Sequence, residues 1–168
     1  MLAVTKEFKW EMAHRLEGHD GLCHGVHGHN YKLLLTVKKG VGEVFSDLNK
    51  SSEGMVCDFK FLKKIVNNVI VDSFDHAFAY NIKDKTSSEI ADYLKKKINQ
   101  KLAPFPFRLT AENMAKWIVE ELNKRFAIGE HDLICIKAVL YETDTSYATY
   151  ELQDESDIKE VIVRGDGD

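Results

Sequence analysis

Apolar and polar positions alternate over residues 2–15, with Leu2, Val4, Phe8, Trp10, Met12 and His14 on one face. A period of two predicts a strand. A Gly-rich stretch from Gly18 to Gly28 interrupts the alternation. It resumes from His27 to Val37, with His27, His29, Tyr31, Leu33, Leu35 and Val37 sharing a face. The two runs read as antiparallel neighbours joined by a long loop. Residues 40–54 read as loop and Met55 to Asp58 as a short extended piece. Phe61, Leu62, Ile65, Val66, Val69 and Ile70 follow helical spacing, and so do Met114, Trp117, Ile118, Leu122 and Phe126. The second of these helices starts near Thr110 as N-cap and stops at Gly129. Ile90, Leu94 and Ile98 fit a further short helix, which Pro104 and Pro106 would end. Residues 132–142 and 146–152 read as strands around the turn Thr143 to Thr145, with Ile134, Ile136, Ala138, Leu140 and Glu142 on one face. The order strand, strand, helix, helix, strand, strand predicts an α+β domain, an antiparallel sheet with helices packed on one face.

The chain's 168 residues suit one domain, placed at residues 1–153 and followed by an acidic tail, 154–168, expected to be partly disordered. An apolar fraction of 44% and a charged fraction of 30% are those of a globular protein. A formal charge of −4 gives no reason to expect nucleic acid as a partner. No apolar run is long enough for a membrane span. Met1 to Trp10 lacks the basic stretch and apolar core of a signal peptide. Three widely spaced cysteines, Cys23, Cys57 and Cys135, fit a reducing cytoplasm. Cys57 and Cys135 sit among apolar strand residues and read as inert core thiols.

Histidine changes this picture. Five of the seven lie between positions 14 and 29. His27-Gly28-His29 on a strand directs both imidazoles to one face. His14, near the end of the preceding strand, can face the pair if the strands are adjacent. Three protein ligands with an open fourth position are the usual arrangement of catalytic zinc. His19 and His24, in the loop, are weaker candidates. Cys23, four residues before His27, admits two readings: a thiolate base or nucleophile beside the ion, or a fourth ligand that closes the site. Asp75-His76 reads either as a proton-relaying dyad or as a polar helix end. Glu142, in line with core residues, needs a cation or a ligand presenting hydrogen-bond donors.

In order along the chain stand Phe8-x-x-x-x-Ala13-His14-Arg15-Leu16, Cys23-x-x-x-His27-Gly28-His29-Asn30-Tyr31, Val56-x-Asp58-Phe59-x-x-Leu62-Lys63, Phe74-Asp75-His76, Thr110-Ala111-Glu112-Asn113 and Glu142-Thr143. Together they resemble the 6-pyruvoyl-tetrahydropterin synthase and 6-carboxytetrahydropterin synthase family. The resemblance implies the tunnelling fold: a four-stranded antiparallel sheet with two main helices on one face, order ββααββ. Here an insertion would lie before the second main helix, because the segment from His76 to Thr110 is longer than the family pattern. It also implies a homo-oligomer, usually a hexamer made as a dimer of trimers, with the site between subunits.

The resemblance further implies zinc held by His14, His27 and His29, and a catalytic set of Cys23, Asp75, His76 and Glu142. Thr110, Ala111, Glu112 and Glu142 would line the pterin pocket. The implied substrate is 7,8-dihydroneopterin triphosphate, with triphosphate held by scattered cations such as Arg15. The spacing Cys-x-x-x-His-Gly-His resembles the bacterial 6-carboxy enzymes of the queuosine route, which release acetaldehyde and triphosphate. The alternatives are the pyruvoyl synthase, which eliminates triphosphate only, and a non-catalytic zinc- or pterin-binding module. A relative that releases a 6-hydroxymethyl pterin carries glutamate where Cys23 stands here.

Overall fold

The structure, a computed structural model, describes residues 1–47, 50–129 and 131–153. The acidic tail expected at 154–168 lies outside them. Among the described residues six strands form one sheet: β1 (Val4–His14), β2 (His27–Lys39), β3 (Ala77–Asn81), β4 (Leu102–Phe105), β5 (Leu133–Thr143) and β6 (Ser146–Glu151), in the spatial order β4-β3-β1-β2-β5-β6. The four predicted strands lie side by side as the antiparallel run β1-β2-β5-β6. The expected four-stranded sheet is therefore extended. At the free edge of β1 the chain adds β3, and then β4, both parallel to their neighbours. The residues read as an insertion supply these two strands, and Pro104 sits within β4 at the sheet edge, where the missing N–H costs no ladder bond.

The helices are α1 (Phe59–Val66), α2 (Asp72–Phe74), α3 (Lys85–Ile98) and α4 (Ala111–Ile128). A π turn, Asn67–Val71, joins α1 to α2, a wider winding that the periodicity of Val69 and Ile70 does not reveal. Asp58, Asp84 and Thr110 cap α1, α3 and α4 by accepting the backbone N–H of Lys60, Ser87 and Asn113. Leu62, Val66, Ile70 and Phe74 join Met114, Ile118, Leu122 and Phe126 of α4 against Phe8, Trp10, Met12, Leu33, Leu35 and Leu140. Trp10 and its cross-strand partner Tyr31 stack at 5.6 Å between ring centroids.

Two expectations are corrected. The two main helices, α1 and α4, pack into one core on the expected face, but the additional helix α3 does not share it. On β3, Phe78 pairs with Ala13 and points away from the core face of Met12 and Ala77, and α3 packs there beside Phe78 through Ala91 and Leu94. The face of β5 is not continuous either. Thr36 pairs with Lys137 but Val37 with Cys135, so Ile136 bulges out of the ladder and Leu133 and Cys135, not Ile134 and Ile136, enter the main core. Cys57 and Cys135 are buried, as the sequence suggests, and burial pushes the Cys135 thiol up to about 12.

The Ile136 bulge explains a buried polar residue on α4. Asn123 donates Nδ2 to the Cys135 carbonyl at 2.9 Å and accepts the Cys135 N–H on Oδ1 at 2.8 Å. It satisfies both backbone groups where the ladder is interrupted. Asn123→Ala leaves a buried donor and acceptor unpaired, and urea unfolding should show a loss of about 2–5 kcal/mol. Aspartate at this position should cost more than alanine, because one oxygen would face the Cys135 carbonyl.

Candidate metal centre and adjoining cleft

The register of β1 and β2 builds the centre. His14 stands opposite His27 and Met12 opposite His29, so three imidazoles from two strands project from one face at the strand ends. One ligand nitrogen from each lies within 4.8 Å of the others, the one group of this kind among the described residues. Ring centroids are 4.6 Å (His14–His27), 5.2 Å (His14–His29) and 5.0 Å (His27–His29) apart.

Backbone carbonyls orient two of the rings. His14 Nδ1 lies 3.0 Å from the Leu109 carbonyl oxygen and His27 Nδ1 lies 2.9 Å from that of Gly25. A carbonyl only accepts, so both Nδ1 atoms carry the proton and both Nε2 lone pairs are left for another partner. The Nε2 of His27 is buried with no hydrogen-bond partner. Burial, then the neighbouring His27 and His29, hold the His14 imidazole down at about 4, and burial followed by His27 lowers His29 as well. Three converging imidazoles, two of them oriented by backbone carbonyls, around an orphaned nitrogen are a donor set that fits a divalent metal such as zinc. The 3.8 Å approach of His14 to Glu142 is not an ion pair near neutrality, because His14 is uncharged there.

Glu142 lies beside this group. Tyr141 pairs with Tyr147 but Thr143 with Ser146, so Glu142 is itself the extra residue of a bulge. Bulges re-aim side chains, and this one leaves the carboxylate in line with Ala138 and Leu140. The Tyr31 hydroxyl donates to Oε1 at 3.3 Å and also stands 3.4 Å from the His14 ring nitrogens. Burial raises the Glu142 pKa, the nearby Glu112 charge adds to the rise, and the Tyr31 hydrogen bond opposes it. Glu142 opens onto a cavity of about 330 Å³ that it shares with Arg108, Thr110, Ala111, Glu112 and Tyr147. The residues expected to line a pterin pocket thus surround one cleft next to the imidazoles.

Cys23 lies in the short 3₁₀ turn Leu22–His24, partly exposed, and is not among the residues that converge on the candidate ion. His24 and His19 bond within that loop, to the Gly21 carbonyl and the Gly21 N–H. The Arg15 guanidinium is taken up within the chain, by Asp84, Ser87 and the His24 carbonyl.

The Asp75-His76 pair sits on the other face of the sheet. Asp75 Oδ1 accepts the Glu11 N–H at 3.0 Å and lies 3.1 Å from His76 Nδ1. The Glu11 N–H is the main cause holding the Asp75 carboxyl below its ordinary range, with His76 and Lys101 adding to it. His76 has a φ of 59°, a conformation uncommon outside glycine, and three-quarters of its side chain is exposed. Its carbonyl accepts from Gln100 Nε2 at 2.8 Å, and Lys101 Nζ reaches the carbonyls of Asp72 and Asp75. His76 lines an outer-face depression with Glu11, Ala13, Gly28 and Asn30, which His29 also borders, whereas His14 points to the inner face. Within one chain the dyad is therefore not among the groups that converge with the three imidazoles.

Sequence reasoning missed Tyr31 and Leu109. Tyr31 continues the period-two face of His27 and His29, so alternation alone could have brought it into the site. The Leu109 carbonyl carries no side-chain signal.

Comparison with known proteins agrees with this architecture. Residues 3–153 match the family profile described as 6-pyruvoyl tetrahydropterin synthase. A 6-carboxy-5,6,7,8-tetrahydropterin synthase of Haemophilus influenzae is 42% identical over 155 residues, spanning 90% of this chain and 99% of that protein. One of that name from Synechocystis is 32% identical over 153 residues, spanning 89% and 93%. Among solved structures, an uncharacterized protein of Wolinella succinogenes superposes with a TM-score of 0.65 at 20% identity, covering 90% of this chain and 98% of that one. The Caenorhabditis elegans 6-pyruvoyl tetrahydropterin synthase does so with a TM-score of 0.59 at 23% identity, covering 90% and 96%. With its fold and nearly its whole described length matched, the chain belongs to the 6-pyruvoyl tetrahydropterin synthase family.

Proposed function

We propose that this chain is a zinc-dependent lyase that converts 7,8-dihydroneopterin triphosphate to 6-carboxy-5,6,7,8-tetrahydropterin, releasing acetaldehyde and triphosphate. The observation that carries this reading is the 42% identity, across nearly the full length of both chains, to the Haemophilus influenzae protein of that name. The geometry supports it. His14, His27 and His29 would hold the ion, leaving a coordination position for substrate. Bound zinc would supply Lewis acidity toward the substrate's side-chain oxygens. Glu142 would accept two parallel hydrogen bonds from the pterin amino and ring N–H groups, a fork that carboxylates suit. Thr110, Ala111 and Glu112 would line the rest of that cleft. Cys23 would take or return a proton at the substrate side chain. His76 would move a second proton through Nε2, because Asp75 engages Nδ1.

That the dyad does not converge with the three imidazoles within one chain supports a homo-oligomer, a hexamer built as a dimer of trimers. In it, the outer-face dyad of one protomer would complete the inner-face centre of a neighbour. The pyruvoyl synthase reaction is the second reading. It shares every residue named here and differs in sparing the carbon–carbon bond.

Metal-loaded protein incubated with dihydroneopterin triphosphate should release acetaldehyde and triphosphate in equal amounts. Triphosphate without acetaldehyde favours the pyruvoyl reaction, and neither product contradicts the lyase.

Cys23→Ala should keep its zinc and lose about 10²–10⁴-fold in kcat. Loss of zinc in that variant would make the sulfur a ligand instead.

Glu142 yields a prediction of opposite signs for stability and binding. In the folded chain its carboxyl titrates above 4.5, its ordinary value. Above that pH the unfolded chain releases a proton that the folded chain retains, so this group lowers stability as pH rises toward the folded pKa. Glu142→Gln should therefore raise the melting temperature of the metal-free protein at pH 7. The same variant should weaken pterin binding at least about tenfold, because one acceptor oxygen is replaced by a donor. A melting temperature below that of the wild type contradicts the assignment of Glu142 as a costly buried carboxylate.

A further inference from the structure

Cys23 sits in a loop with no regular strand or long helix to hold it, yet a proton-transferring thiol needs a defined position. Two backbone contacts bracket it. The Cys23 carbonyl accepts the Leu16 N–H at 2.9 Å, and the next carbonyl, that of His24, accepts Arg15 Nε at 3.0 Å. Arg15 and Leu16 directly follow the β1 end that carries His14. The Arg15 side chain, only 13% exposed, is held in turn from a distant part of the chain. Its Nη1 donates to Asp84 Oδ2 at 2.6 Å and to Ser87 Oγ at 3.0 Å. Asp84 is the N-cap of α3, accepting the Ser87 N–H at 2.7 Å, and Ser87 is fully buried. A second link runs beside the first, from Asn81 Nδ2 at the end of β3 to Glu17 Oε1, at 2.6 Å.

We propose that the corner between β3 and α3 is the element that positions Cys23, with Asp84 and Ser87 acting through Arg15. This deepens the lyase reading, because it rests on Cys23 as the proton-transfer group. The corner belongs to the segment that lengthens the chain between His76 and Thr110, so that segment is built into the site and is more than a surface elaboration. Arg15 is then a positioning residue. Its guanidinium, charge-neutralised by Asp84 and held by three acceptors, is committed inside the chain and not to the triphosphate.

Asp84→Asn is the decisive variant, because it weakens the link and leaves Arg15 in place. The measurement is the rate at which iodoacetamide alkylates Cys23 in the full-length, zinc-loaded protein, read by peptide mass. Buried Cys57 and Cys135 serve as internal reporters of global unfolding. Loosening the loop should raise the Cys23 rate about threefold or more while both buried thiols stay protected. In the turnover assay kcat should fall about 10–100-fold with KM unchanged, the pattern of a misplaced catalytic group. Arg15→Lys should repeat both effects, and the double variant should be no worse than Arg15→Lys alone, since both changes break one link. Should Arg15→Lys unfold, Ser87→Ala must shift the Cys23 rate in the same direction. A Cys23 rate in Asp84→Asn equal to that of the wild type overturns the proposal, whatever happens to turnover. A lower KM in Asp84→Asn, from an arginine freed to bind triphosphate, also overturns it. If the wild-type protein forms no acetaldehyde, the lyase reading fails, and the alkylation rate still decides the positioning role.

Discussion

The pairing register of β1 with β2 is the constraint on which the rest of the site depends. With His14 opposite His27 and Met12 opposite His29, three imidazoles meet at one corner of the sheet. A slip of one residue would send His27 and His29 to the outer face, away from His14. The register is secured by what lies below the histidines on the same face. Trp10 stacks on Tyr31, and Phe8, Leu33 and Leu35 are buried under α1 and α4. The large apolar burial of the core thus sets the position of a small polar cluster that could not order itself.

Around that corner the fold uses irregularities in place of regular elements. A bulge at Glu142 aims a carboxylate into the cleft, a left-handed His76 turns the Asp75 dyad to the outer face, and a 3₁₀ turn carries Cys23. Each is strained or lacks the support of a long element, and each is held by a contact from elsewhere. Tyr31 reaches Glu142, Gln100 and Lys101 reach the carbonyls around the dyad, and Arg15 reaches the Cys23 turn. The segment from β3 to β4 supplies several of these supports, through Asp84, Gln100 and Lys101.

What was legible in the sequence followed from periodicity and spacing. Period two revealed β1, β2 and the shared face of the three histidines. Helical spacing and the caps Thr110 and Gly129 revealed α4. The ordered motifs brought out the candidate site residues, and the structure gathers Glu142, Thr110, Ala111 and Glu112 around one cleft. What was not legible depends on non-local partners. The strand Ala77–Asn81 is buried on both faces and only five residues long, so it shows no alternation. Strand β4 holds two residues ahead of Pro104 that only a neighbouring strand could recruit. The bulge at Ile136 is set by Asn123 on another element, and no local pattern in β5 announces it.

The central claim is that three imidazoles alone form the protein's share of the metal shell, with His27 Nε2, buried without a hydrogen-bond partner, among the donors. X-ray absorption at the zinc edge of the reconstituted protein reads that shell directly. The account predicts three imidazole nitrogens and a light oxygen or nitrogen atom, with no sulfur scatterer. A sulfur at about 2.3 Å, the usual zinc–thiolate distance, would contradict it.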